Sequence, residues 1–472
     1  MWGQLNSGLQ PRVIVSENRL SPLLRAGLDY NSSFTSLERT DIPYEQLQLI
    51  IARWRSSIDR QATLYRKHAV GTLESLPTGC LYEHLDRPEW KRAATACEIL
   101  RHPTVSKNSG WLDTRALQAR IANIAASNQL LHLIIGWGQP KRDAGGLKTA
   151  GPFADLAETY AIARLGSIAK AMAASLSCEA KIKVLSGGTR FRPALFTEHD
   201  LCGQYDDQRQ RIADTICGAG TFIFADYETQ LTSPKSQERH NHYLAALKTI
   251  SDEMIGELHD TVLMNIDWHS VFKLGLNEDP LVGQSLPTSV RHWVADRSRS
   301  DAAKLIRAAL LSIVTPRRQA GLQQELEDTA DLVQDTVAFM RSVAWESTRK
   351  YIALHAADGA IDHTFHAHHK RSSIRLTVHQ KRGRPDIPAI FTLGSGGGNA
   401  LSQHVNVRID VGGRPHFEPL SEILSRQVRP VFVLSNSRRN LFDWLHDSNQ
   451  PLCFSDAAHQ DAIDLIGGAL DY

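Results

Sequence analysis

Apolar residues recur with a helical period in residues 44–68, which predicts an amphipathic helix near the start of the chain. Residues 1–40 show few periodic apolar positions and are rich in Ser, Asn and Gly, so we interpret them as an irregular leader. Asp113 precedes a second helical pattern, and we expect its side chain to cap a helix over about 114–126. The buried stripe of the first helix would consist of Leu47, Ile50, Ile51, Trp54 and Ile58.

The next segment has the pattern of a parallel β–α–β unit. Residues 130–137 form a continuous apolar run of strand length, as expected for a strand covered on both faces. An amphipathic helix over 155–176 and a second strand over 181–188 follow. The crossover should be right-handed, and ligands of such sheets bind beyond the carboxyl ends of the strands. The loop at 138–152 and the turn at 186–191 both lie at such ends.

The rest of the chain changes from a helical period to short strands. Together the elements predict an α/β fold, a Rossmann-like parallel or mixed sheet flanked by helices, with a helical insertion and a smaller C-terminal α/β part. Further helices are expected at 207–220, 236–264 and 300–356, and further strands at 372–380, 387–394, 404–410 and 429–435. The strands of the tail would form a mixed sheet that packs on the first sheet or extends it.

We expect four regions along the chain, and the last of them should complete the active site. In order they are an N-terminal leader and helical region, a Rossmann-like core, a helical region and a C-terminal strand-rich part. The predicted regions cover residues 1–100, 101–230, 231–360 and 361–472.

Composition narrows the class of protein. The 472 residues are 42% hydrophobic, and 53 basic against 51 acidic residues leave a net charge of only +2. This balance argues against a nucleic-acid partner but leaves room for a small anionic substrate. The six cysteines form no C-x-x-C pair, which indicates free thiols in a reducing compartment. With neither a secretory signal nor a long apolar stretch, the sequence predicts a cytoplasmic protein without a membrane span.

The loop after the first strand of the β–α–β unit offers two adjacent cations, Lys141 and Arg142. Such a pair suits a phosphate or carboxylate, and Lys141 could act as a base or as a carbinolamine partner if burial lowered its pKa. The alternative is a solvated loop. Asp155 and Glu158 stand where the following helix begins, and their simplest role is a capping box.

The glycine turn after the second strand is a weaker indication of a site. Its glycines, Gly188 among them, would let backbone N–H groups approach an anion, and Arg190 follows two residues later. A plain tight turn explains the same residues. The GSGGGN loop at 394–399 opens no helix, so we interpret it as a connector between strands.

Period two in the strand at 372–380 places Arg375, Thr377, His379 and Lys381 on one face, with Leu376 and Val378 facing a core. That row is either a solvated face or a grip for a sugar phosphate with a titratable imidazole. A further histidine, His404, is predicted to open a strand. The cluster of His363, His366, His368 and His369 lacks the partners of a known zinc site, so we predict no metal there.

These pieces, in this order, resemble the isocyanide (isonitrile) synthase family, also called the pyoverdine/dityrosine biosynthesis family. GPFADLAETYAIARL (151–165) is similar to the family's G-x-P-D-L-A-E-E-x-A-L-x-x-L segment, and 181–208 to its strand, S-D-G-x-x-F turn and following segment. SSIRLTVHQK (372–381) resembles its I-R-x-T-V-H-x-K strand, and QHVNV (403–407) its W-H-x-V strand. The resemblance covers about residues 100 to 435, and its specificity comes from four matches in the correct order.

The resemblance implies conversion of an amino acid's α-amine to an isonitrile, with ribulose-5-phosphate as one-carbon donor and with neither a metal nor an organic cofactor. It implies Lys141 for ketone activation or proton transfer, His379 and His404 as acid/base groups, and Asp155 and Glu158 holding the lysine or the substrate amine. Arg375 and Lys381 would bind the phosphate, and the loop and turn add Arg142, Gly188 and Arg190 as binding candidates. A downstream iron/2-oxoglutarate oxygenase is the partner expected from the family.

The chain departs from the family's pattern at the turn, where Gly187 replaces the acidic residue, and at Gln403, which replaces the tryptophan. Two alternatives therefore stay open. One is a diverged enzyme that condenses an amine with a sugar phosphate to another product. The other is a catalytically silent partner in a biosynthetic complex. For an active enzyme, we expect Lys141→Ala and His379→Ala to abolish turnover with little change in thermal unfolding.

Overall fold

The computed structural model describes residues 37–76, 81–137, 141, 149–186, 199–226, 373–378, 385–393, 401–424, 426–434 and 441–470. The predicted leader up to residue 36 and the predicted helices at 236–264 and 300–356 lie outside the described residues.

Helices and strands are interspersed along the described chain, as expected for the α/β class. The helices are α1 (Tyr44–Ser75), α2 (Pro88–Arg101), α3 (Thr114–Ala126), α4 (Leu156–Leu176), α5 (His199–Cys217), α6 (Leu420–Leu424), α7 (Asp443–Asp447) and α8 (His459–Gly468). The strands are β1 (Thr40–Ile42), β2 (Leu131–Gly136), β3 (Ala180–Ser186), β4 (Phe222–Asp226), β5 (Ser373–Leu376), β6 (Asn406–Ile409), β7 (Pro415–Glu418), β8 (Arg429–Val433) and β9 (Cys453–Ser455).

The first sheet is parallel and has the strand order β4-β3-β2-β5. Leu133 of β2 lies opposite Ile182 of β3 on one side and Ile374 of β5 on the other. The chain reaches β3 and then β4 on one side of β2, and only later adds β5 on the other side. This is the Rossmann strand order, and its direction reverses between β2 and β5, the switch point at which such sheets bind ligands.

The apolar run of β2 is buried on both faces, which confirms the prediction of a covered parallel strand. Helix α4 follows β2 and is buried nearly all round, because it packs against α1, α2, α5 and β3. Gly166 permits this packing, since a Cβ there would collide with Sγ of Cys217 in α5. The helix therefore lies at the centre of the described elements, and this packing fixes the position of its N-terminus.

The second sheet is mixed and has the order β1-β8-β9-β6-β7. Strand β1 runs parallel to β8, with Ile42 opposite Val433, so the beginning and end of the described chain join in one sheet. Helix α8 packs on α1, where the indole Nε1 of Trp54 donates to the carbonyl of Ile466 at 3.0 Å. The predicted mixed sheet of the tail is confirmed, except that β5 leaves it to extend the first sheet.

Several sequence predictions match closely. All members of the predicted stripe of α1 are buried, and Asp113 caps α3 by accepting a hydrogen bond from the Ala116 N–H at 3.1 Å. Three predictions need correction. The strand predicted over 372–380 ends at Leu376, and His404 ends a 3-10 turn (Ser402–His404) instead of opening a strand, since β6 begins at Asn406.

The third correction concerns the strand predicted over 387–394, of which the described residues 387–393 form only isolated bridges through Ala389 and Ile390. Pro388 supplies no N–H, and neighbouring backbone groups bond to the loop after α2, as in the 2.7 Å hydrogen bond from Lys107 N to Ala389 O. The run is apolar because it is buried against that loop. Within the described residues, no helix is long and apolar enough to cross a membrane.

Candidate active site

A buried cluster of charged side chains lies where the loop after β2 meets the N-terminus of α4. Lys141 Nζ is 2.8 Å from Oδ2 of Asp155 and 3.4 Å from Oε2 of Glu158, and it donates to the carbonyl of Val405 at 2.7 Å. The three side chains are 0%, 2% and 0% exposed. The Lys141 ammonium is therefore held by two close oxygen contacts, to Asp155 and Val405, and by a longer ion pair with Glu158.

The carboxylates are placed by the start of α4. Asp155 accepts from the Ala157 N–H at 2.8 Å, and Glu158 reaches back to accept from the Asp155 N–H at 3.0 Å. The predicted capping box is therefore confirmed, and its two carboxylates also hold Lys141. Capping and lysine binding are two uses of the same groups here, because each carboxylate has a second oxygen or lone pair to offer.

Neighbouring elements pin this helix start in place. The Ala154 N–H donates to Oε1 of Gln208 in α5 at 3.0 Å, and Ala154 O accepts from Nε1 of Trp444 at 2.8 Å. On the other side, the Ala150 N–H donates to Oδ1 of Asn406, next to the Val405 carbonyl that Lys141 uses. The cluster thus depends on residues from both sheets.

Burial dominates the electrostatics of the cluster, because water is excluded from one cation and two carboxylates. Burial raises the pKa of Asp155 to about 7, and nearby Glu158 adds to this rise while Lys141 opposes it. Burial, followed by Glu158, also raises the pKa of Tyr205 well above that of an ordinary phenol. Near neutral pH, Asp155 can therefore take up or release a proton, whereas Tyr205 remains a hydrogen-bond donor.

Two residues of α5 that sequence reasoning missed extend the cluster. The Tyr205 hydroxyl donates to Oε1 of Glu158 at 2.8 Å, and the Arg209 guanidinium lies over the Tyr205 ring, 4.6 Å from its centre. Arg209 is fully buried on the apolar face of an amphipathic helix, next to Ile212 and Ala213. A charged residue at a core position, four residues after a tyrosine, is the sequence signal that could have found this pair.

Contacts connect the cluster to the 3-10 turn that contains His404. The Arg209 guanidinium also lies 5.2 Å from the centre of the Trp137 ring, and Trp137 Nε1 donates to Ser402 Oγ at 3.2 Å. From Ser402 the chain passes through the half-buried His404 to Val405, whose carbonyl Lys141 contacts. These contacts therefore connect Arg209, Trp137, the 3-10 turn and Lys141 around the carboxyl end of β2, and His404 lies within the connected segment.

Arg375 belongs to β5, where it pairs with Ile134 of β2 and is half-buried. Leu376 and Val378 face the core as predicted, while on the opposite face Thr377 is buried and Arg375 is half-buried. The structure thus brings Lys141, Asp155 and Glu158 together and places His404 beside them. His379, Arg142, Gly188, Arg190 and Lys381, with the histidine cluster at 363–369, lie outside the described residues.

The fold and the buried cluster define an α/β protein with a Rossmann-like parallel sheet, a second mixed sheet and a candidate site at the switch point of the first. No family model matches the chain, and no curated protein matches it. Among solved structures, the chain is similar to the PvcA protein of Pseudomonas aeruginosa at a TM-score of 0.43 and 15% identity. The match covers 79% of this chain and 96% of PvcA.

Proposed function

We propose that the chain is an isonitrile synthase, an enzyme that converts the α-amine of an amino acid to an isocyanide with ribulose-5-phosphate as the carbon donor. The observation that carries the proposal is the buried contact of Lys141 with Asp155 and Glu158. These residues belong to the motifs that resemble the isonitrile synthase family. They meet at the carboxyl end of a parallel strand, where α/β enzymes bind their substrates.

The cluster suits the chemistry of the first step. Condensation of an amine with a ketone forms a C–N bond and releases the ketone oxygen as water, so protons must move from nitrogen to oxygen. Asp155, with a pKa of about 7, can act in both directions at neutral pH. Since Lys141 is buried and already held by the Val405 carbonyl and two carboxylates, its geometry favours proton transfer and charge balance over a direct bond to the ketone.

The remaining roles are proposals of the same kind. His404 is a candidate for assisting proton transfer, because Val405, the next residue, offers the carbonyl that Lys141 contacts. His379 is the second acid/base candidate. Arg375 and Lys381, with Arg142, Gly188 and Arg190, are candidates for binding the phosphate. A downstream oxygenase and secondary metabolism as the setting follow from the resemblance alone.

The proposal is tested by incubating the purified full-length protein with ribulose-5-phosphate and the standard amino acids, followed by mass spectrometry. The expected product is heavier than one amino acid by one carbon and lighter by two hydrogens. Asp155→Asn should abolish it. Lys170→Met should not, because Lys170 lies farther along α4 and forms a surface ion pair with Asp59 of α1. A different amine-dependent product would replace the proposal with the diverged enzyme, and no product from any amine would favour the silent partner.

A further inference from the structure

The guanidinium of Arg209 lies in an aromatic enclosure beside the Lys141 cluster. The rings of Tyr205, Phe224 and Trp137 have their centres 4.6, 4.8 and 5.2 Å from it. Arg209 is itself fully buried. Ring faces attract a cation, but they supply no lone pair in the plane of the guanidinium, where its N–H groups point.

The three nitrogens of the Arg209 guanidinium differ in their hydrogen-bond partners. Nη2 pairs with the carboxylate of Asp206 and lies 3.4 Å from Ser186 Oγ. Nε and Nη1 are buried, and neither has an acceptor among the residues that the structure describes. Buried polar groups normally have partners, so two unused nitrogens on one buried cation point to an acceptor that the described residues do not provide.

The position of Arg209 indicates what that acceptor is. Trp137 follows β2, Ser186 ends β3 and Phe224 lies in β4, so the guanidinium stands at the carboxyl edge of the parallel sheet. Ligands of such sheets bind at this edge. A guanidinium binds planar or tetrahedral oxyanions through several N–H groups at once, so the ligand chemistry is a carboxylate or a phosphate.

We infer that Arg209 binds an oxyanion of the substrate, through Nε and Nη1, at the aromatic enclosure beside the Lys141 cluster. The inference rests on the proposed function only for its substrates, each of which has one oxyanion: the amino acid has a carboxylate and the sugar has a phosphate. Asp206 and the three rings hold the guanidinium in place. Tyr205 joins this binding site to the proton-transfer cluster through its hydrogen bond to Glu158.

The test is calorimetric titration of the full-length protein with four kinds of probe. Ribulose-5-phosphate is compared with ribulose, and the standard amino acids, titrated singly, with their amides. Arg209→Lys keeps the charge and loses the fork of donors, so it should weaken binding of one oxyanion-bearing probe about 10- to 100-fold and leave binding of its analogue without the oxyanion unchanged. The probe that is affected identifies the phosphate or the carboxylate as the ligand.

Arg211→Lys is the matched control, because Arg211 lies on the same helix but is half-exposed, beside Trp444 and Asp443. It should bind all probes as the wild type does. Equal affinities of the wild type and Arg209→Lys for both oxyanion-bearing probes would overturn the inference, as would a wild type that binds neither. If the protein forms the isonitrile but its affinity for the probes does not depend on Arg209, the proposed function holds and this inference is wrong. If the protein binds an anion through Arg209 but forms no product, this inference holds and the proposed function is wrong.

A second measurement remains decisive if Arg209→Lys fails to fold. Since Trp137 lies against Arg209, binding of the oxyanion-bearing probe should change tryptophan fluorescence. Trp137→Phe should remove most of that change while keeping an aromatic face against the guanidinium. A fluorescence change of full amplitude in Trp137→Phe would place the anion elsewhere and overturn the inference.

Discussion

Lys141 and Asp155 form an ion pair inside the protein, with Nζ 2.8 Å from Oδ2 and both side chains removed from water. Such a pair gains little net stability from its charges, because each ion loses its hydration. Removal of one partner is costly, since the other charge then stays buried without compensation. The same pair therefore determines both how the protein titrates and how it tolerates substitution.

The first prediction concerns Lys141→Met, which fills the space of the lysine but leaves Asp155 and Glu158 facing each other without a cation. We expect the free energy of unfolding to fall by about 3–5 kcal/mol. This prediction differs from the expectation from the sequence that loss of Lys141 would leave thermal unfolding nearly unchanged, because the lysine is buried. Urea denaturation measures the difference. Lys170→Met, at a surface pair with Asp59, is the control and should cost about 1 kcal/mol or less.

The second prediction follows from the raised pKa of Asp155. Between the pKa of an unfolded aspartate, about 4, and the folded value of about 7, the folded state binds more protons than the unfolded state. The contribution of Asp155 to stability is therefore fully present below about pH 4 and is lost as the pH rises through about 7. Asp155→Asn removes this titration and keeps a capping side chain.

Urea denaturation of the wild type and Asp155→Asn in a series of buffers measures this effect. The stability of the wild type relative to the variant should decline from about pH 4 to about pH 7 and then level off. A difference that stays constant over that range would mean that Asp155 keeps an ordinary carboxylate pKa despite its burial.

The third prediction separates capping from chemistry. Asp113 caps α3 on the surface, with a 3.1 Å hydrogen bond from Ala116 N, and contacts no member of the buried cluster. Asp113→Ala should cost about 1 kcal/mol of stability and leave product formation unchanged. Asp155→Asn should instead abolish product formation although it preserves the cap. Equal activity of the two variants would show that Asp155 serves only as a helix cap.

Much of the fold could be predicted because local pattern and tertiary environment agree in its longest elements. Helix α1 has a regular apolar stripe, and the β2–α4–β3 unit combines a continuous apolar strand with a capped helix. Short strands were missed, as in β1 and β9, because three residues contain no measurable period. Their strand conformation comes from pairing with distant residues, such as Ile42 with Val433.

The candidate site also contains contacts that the sequence predicts and contacts that it does not. The meeting of Lys141 with Asp155 and Glu158 could be expected, because a loop after a strand and the start of the next helix adjoin at one sheet edge. The contact of Lys141 with the Val405 carbonyl could not be expected, since every residue has a carbonyl and only the fold determines which one lies next to the lysine. Tyr205 and Arg209 were missed because both lie on the apolar face of an amphipathic helix, where side chains are expected to pack in the core. The pattern alone does not separate a core tyrosine from one that donates to a carboxylate.

The last prediction concerns the Tyr205 hydroxyl, which links the Lys141 cluster to Arg209. Tyr205→Phe keeps the ring against the guanidinium but removes the 2.8 Å hydrogen bond to Glu158, so a buried carboxylate loses one donor. We expect a loss of about 1.5–3 kcal/mol in the free energy of unfolding, as for a hydrogen bond to a charged group. Tyr65 is the matched control, because its buried hydroxyl has no hydrogen-bond partner among the described residues, and Tyr65→Phe should be neutral or slightly stabilising. Urea denaturation compares the two variants, and equal stabilities would show that the hydroxyl of Tyr205 makes no bond to Glu158 in solution. Because the ring remains, anion binding at Arg209 should survive in Tyr205→Phe even where proton transfer through the cluster is slowed.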